Sequence, residues 1–117
     1  MRARAYPLKQ YERPPEPHER EERHPVDVVA WLSTSGGGGP AHVIDLSERG
    51  FGARSNVPLP IGSEIGVNLP GLGSVRAQVR WALGGVFGAW FLPRLDERQL
   101  LDCLARAPVA VTEQPLP

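Results

Sequence analysis

The chain has 117 residues, with thirteen basic and thirteen acidic side chains. That length suits one domain around one core, and the balanced charge excludes the global positive field that drives non-specific nucleic-acid binding, so an anionic partner must be held by a local site. A single cysteine, Cys103, excludes an intramolecular disulfide and a CxxC zinc or redox pair. No apolar run approaches the roughly 20 residues that span a bilayer, so the sequence predicts a soluble, unexported, cytoplasmic protein with no membrane insertion.

Residues 1 to about 24 are rich in Pro, Glu and Arg and poor in aliphatic side chains. They cannot bury enough apolar surface to offset the entropy of ordering, which predicts an extended or disordered arm. From Val26 the β-branched run VDVVAWLS predicts a strand ending at TSGGGGPA, whose four consecutive glycines are expected to be a flexible connector. No GK[ST] follows them, so they do not form a phosphate-binding loop. AHVIDLS and FGARSNV predict two more strands. Pro58 and Pro60 delay the fourth until about Glu64, in EIGVNLP. In SVRAQVRWALGG, Val75, Ala77, Val79 and Trp81 alternate with Arg76, Gln78 and Arg80, which predicts a strand with the first set buried. Gly84-Gly85 then marks a tight hairpin into VFGAWFLP, the sixth strand. Trp31, Trp81 and Trp90 lie in apolar strands and are assigned to the core.

Asp96 followed by Gln99 has capping-box spacing, with Leu95 and Leu100 as a hydrophobic staple, and this predicts a helix over 96–106. Leu100, Cys103 and Leu104 share its apolar face, which makes Cys103 a core residue rather than a nucleophile. The tail PVAVTEQPLP is expected to fray. Six short antiparallel strands with glycines at the corners, plus one helix, predict a mainly β fold: a small closed barrel.

The stretch DLSERG sets Asp45, Ser47 and Gly50 at a strand junction. Two readings stand: ordinary turn chemistry, in which Asp and Ser bond nearby amides and Gly supplies positive φ, or a ligand site. Arg20 and Arg23, just before the first strand, favour a guanine nucleotide, because guanidinium forks onto phosphate or the guanine O6/N7 edge and a carboxylate accepts from guanine's donors. His18, His24 and His42 lack metal-ligand spacing, and no nucleophile–base pattern supports an enzyme, so neither metal nor cofactor is expected.

DLSERG matches the [DN]xSxxG motif of PilZ domains, and the order of the flanking segments, PVDVVAWL, PLPIGSEIGVNLP and VRAQVRWALGGVFGAWFL, resembles theirs. The resemblance, which covers roughly residues 19–105, implies a six-stranded antiparallel PilZ-type β-barrel with a C-terminal helix; the domain is expected over residues 19–106, after a disordered or extended N-terminal arm over 1–18 and before a flexible tail over 107–117. It implies the bacterial second messenger cyclic di-GMP as ligand, bound by Arg20, Arg23, Asp45, Ser47 and Gly50. The family's RxxxR pattern is one residue longer than Arg20-Glu21-Glu22-Arg23; with Arg23 aligned, Glu19 occupies the first arginine position. Two functions follow from the resemblance: a cyclic di-GMP receptor acting through its arm on an unknown protein partner, or a PilZ-type interaction module that has lost nucleotide binding.

Overall fold

Alternation of apolar and polar residues builds the sheet. In β1 (His24–Thr34), Val26, Val28, Ala30 and Leu32 are buried and their neighbours face out. The structure, a computed structural model, describes residues 22–108. Arg20 and most of the expected arm, like residues 109–117, lie outside the described residues. β2 (Gly37–Leu46), β3 (Gly50–Ser55), β4 (Glu64–Leu69), β5 (Gly73–Leu83) and β6 (Val86–Phe91) complete an antiparallel closed barrel in the order β1-β2-β3-β6-β5-β4. Closure between β1 and β4 is brief, pairing Leu32 with Val67 and Ser33 with Gly66.

Small side chains fill the interior: Ala30, Ala41, Ala53, Ala77 and Ala89 are buried among Val, Leu and Phe. Phe51 packs edge-on against Phe87 at 5.7 Å and beside Phe91 at 5.6 Å between ring centroids. A six-stranded barrel this narrow has no room for indoles, and the assignment of the tryptophans to the core is corrected here. Trp31 is 56% exposed, and Trp81 and Trp90 are half-buried on the outer surface. Trp81 leaves the buried face of β5 because a register shift after Val79 breaks the alternation that sequence alone extends through it.

The four-glycine segment also differs from expectation. Only Ser35 and Gly36 form the hairpin turn, while Gly37, Gly38 and Gly39 are strand residues paired with Thr34, Ser33 and Leu32. At Gly38 a Cβ would lie 2.2 Å from the Leu32 carbonyl oxygen, so the absence of a side chain serves close strand approach. The other glycine hairpin is as predicted: Gly84 and Gly85 both take positive φ, at 62° and 85°, and connect β5 to β6.

Helix α1 (Glu97–Arg106) begins with the predicted capping box, in which the Gln99 amide donates to Asp96 Oδ1 at 2.7 Å and the Asp96 amide donates to Gln99 Oε1 at 2.9 Å. Leu95, Leu100 and Cys103 join the barrel core, and burial pushes the Cys103 thiol pKa up. After the helix, Ala107 is buried and the Pro108 carbonyl accepts from the Asp27 amide at 2.8 Å, tying the end of α1 back to β1.

Candidate functional site

Asp45 faces outward because of a β-bulge. Gly39, Ala41 and Val43 point into the barrel, and strict alternation would send Asp45 after them; the register instead shifts between Val43 and Asp45, so Leu46 takes the interior position and Asp45 the surface. The shift in β5 does the same for Trp81. Between these two residues the pairing runs Asp45 to Gly52, Gly52 to Gly88, and Gly88 to Trp81, which makes one row across four adjacent strands.

The middle of that row has no side chains, and the two ends lean over it. A Cβ on Gly52 would sit 3.0 Å from Asp45 Oδ2, and one on Gly88 only 2.2 Å from Trp81 Nε1. The carboxylate thus rests over Gly52 and the indole over Gly88, two glycines that pair across one strand spacing of about 4.8 Å. The Gly52 amide donates to Asp45 Oδ1 at 3.1 Å, and Arg23 reaches the same oxygen at 3.5 Å. Among the described residues, Asp45 Oδ2 and the Trp81 indole N–H have no hydrogen-bond partner, which leaves one acceptor and one donor along the row.

Ser47 is 8% exposed, and its hydroxyl accepts from the Arg49 and Gly50 amides, each at 3.2 Å. Its first task is to shape the turn. Gly50 does not take positive φ. The reason for glycine here is the approach of β6, since a Cβ would lie 2.0 Å from the Ala89 carbonyl oxygen. The end of β6 and the chain after it brace the turn from outside: the Phe91 amide donates to the Arg49 carbonyl and the Leu95 amide to the Glu48 carbonyl, each at 2.8 Å, while Arg94 pairs with Glu48 at 3.2 Å.

The row is flanked by Trp90, opposite Gly50 on β6, with the Arg49 guanidinium 4.7 Å and the Arg80 guanidinium 4.1 Å from its ring centroid. Of the residues expected to bind ligand, the structure brings together Arg23, Asp45, Ser47 and Gly50; Arg20 lies outside the described residues. Gly52, Gly88, Trp81, Trp90, Arg49 and Arg80 were not singled out as site residues by the sequence. The one available signal was glycine inside strands, which marks bulges and close approaches.

An open recess of about 550 Å³ lies elsewhere, between the β1–β2 hairpin and residues 56–64, and contains none of the motif residues. Among the described residues no group of three His, Cys, Asp or Glu side chains could hold a metal ion, and no helix is long and apolar enough to cross a membrane.

A closed six-stranded antiparallel barrel with one C-terminal helix, and an Asp-x-Ser-x-x-Gly turn at the junction of β2 and β3, defines the class of small β-barrel domain. Residues 17–107 match the PilZ domain family, and the chain belongs to it. PilZ domains are generally cyclic di-GMP receptors and act as binding modules rather than enzymes. No curated protein matches the chain.

Proposed function

We propose that this protein is a cytoplasmic cyclic di-GMP receptor whose N-terminal arm changes conformation on binding and relays the signal to a protein partner. The row Asp45–Gly52–Gly88–Trp81 carries the reading. One guanine docks over this row, the free Asp45 oxygen accepts from its N–H edge, and the indole of Trp81, resting on Gly88, lines the opposite end. Arg23 stays beside Asp45 and turns its guanidinium to the base or a phosphate. Ser47 and Gly50 hold the turn that presents these groups, and Arg20 adds a cation from the arm. The receptor domain spans residues 19–106 in this reading, with 1–18 as arm and 107–117 as tail.

Calorimetric titration with cyclic di-GMP tests it. Binding in the micromolar range or weaker is expected, and Asp45→Ala removes the acceptor, at a cost of roughly 2–5 kcal/mol for truncating one buried charged hydrogen-bond partner. Wild-type affinity retained in both the Asp45→Ala and Ser47→Ala variants would rule out this site.

A second reading has its own observation. Arg23 already pairs with Asp45, and the two arginines of the lead-in stand one residue closer than the family spacing. A PilZ-type module that binds a protein and no nucleotide would show both features. Absence of any heat at millimolar cyclic di-GMP selects it.

A further inference from the structure

The barrel surface carries two arginines that the family motif does not name. Arg49 and Arg80 come from different elements, the β2–β3 turn and β5, and converge on one indole, Trp90. Neither forms an ion pair among the described residues, whereas Arg23, Arg76 and Arg94 each face a carboxylate. Arg80 makes only a long 3.4 Å bond to Gln78 Oε1, and the Nε of Arg49 is buried with no hydrogen-bond partner. Two like charges held around one ring without a counter-ion repel each other, and an anion between or beside them relieves that repulsion.

Their position relative to the site is fixed by register. Trp90 pairs with Gly50, two residues along β3 from Gly52, and lies two residues along β6 from Gly88. Side chains at that spacing share a face about 7 Å apart, so the Arg49–Trp90–Arg80 group forms one wall beside the Gly52–Gly88 pair. A base seated against Asp45 puts its phosphodiester within reach of that wall.

We propose that Arg49 and Arg80, oriented by stacking on Trp90, receive the phosphates of the bound dinucleotide, so that the barrel itself supplies phosphate-binding cations beside a lead-in whose two arginines stand one residue closer than the family spacing. This rests on the cyclic di-GMP reading of the site. Stacking matters because it fixes the planar guanidinium before binding, which lowers the ordering cost of each charge-assisted hydrogen bond.

The experiment is a titration of cyclic di-GMP into wild type, R80Q, the double variant R49Q/R80Q and, as a charge-matched control, R106Q, whose side chain packs beside Gly71 of the β4–β5 turn. Each is measured at low and at high ionic strength, with thermal melting as a check on folding. The expected result is a loss of about tenfold or more in the double variant, since one charge-assisted hydrogen bond is worth that much, together with a shallower salt dependence and no change in R106Q. Should the double variant not fold, R80Q, changed at an exposed strand position, still reports: it loses severalfold affinity and part of the salt dependence. Wild-type affinity and an unchanged salt slope in the arginine variants overturn this proposal while leaving the receptor reading standing. Failure of the wild type to bind overturns both.

Discussion

At Gly88 a hydrogen in place of a methyl group decides where Trp81 lies. The indole nitrogen occupies the space a Cβ would need, at 2.2 Å, so Gly88→Ala must push the ring off the β6 backbone. The expected outcome is a changed tryptophan fluorescence spectrum and a loss of about 1–3 kcal/mol in denaturant unfolding, the usual range for overpacking. A spectrum and midpoint like those of the wild type would mean that Trp81 does not rest there. Cys103 makes a different case at the same scale. Burial raises its thiol pKa, so native protein should leave a thiol reagent unreacted at neutral pH, and denaturant should expose it. The sign of the linkage follows: the neutral thiol's contribution is fully present below the unfolded-state pKa and is lost as pH rises through the folded one. Rapid reaction of the native protein would contradict the buried position.

Among the elements, the helix was the most readable and the strands the least. Asp96 and Gln99 announce the capping box in four residues, because a cap is a local bargain between side chains and the first free amides. Asp96→Ala should therefore cost about 1 kcal/mol in thermal or denaturant unfolding and leave barrel-face binding unchanged. No loss of stability would show that α1 is fixed by packing alone. The Gly84-Gly85 hairpin was equally local, since two positive φ angles suit glycine at both positions. Bulges are not local in this sense. Whether Asp45 points in or out depends on the register of β2 against β3, and whether Trp81 does depends on β5 against β6. Plain alternation in the sequence therefore placed Trp81 inside. It also treated Gly37, Gly38 and Gly39 as connector, because the close carbonyl that makes Gly38 a strand residue belongs to another strand.

Across the whole molecule, the barrel closes with few β1–β4 pairs, and the bond from Asp27 to Pro108 ties the end of the helix to β1. The mainly β class, the helix and the motif turn were legible because they rest on periodicity, turn chemistry and one short pattern. The composite site was not, because it is assembled from β2, β3, β5 and β6, whose side-by-side order crosses the sequence order. A related prediction concerns the lead-in: Glu19→Arg restores the family spacing ending at Arg23 and removes a negative charge, so it should tighten cyclic di-GMP binding by about tenfold in a calorimetric titration. Unchanged affinity would take the arm out of the site.

The proposed receptor seats a guanine over the Gly52–Gly88 pair, against Asp45 and Trp81. Nuclear magnetic resonance tests it directly, by following the backbone amides of Gly52 and Gly88 and the indole N–H of Trp81 as cyclic di-GMP is added to the full chain. These three signals are expected to shift together along one saturating curve, and the shifts to vanish in Asp45→Ala. Saturable shifts confined to other faces of the barrel, with these three unmoved, would contradict it.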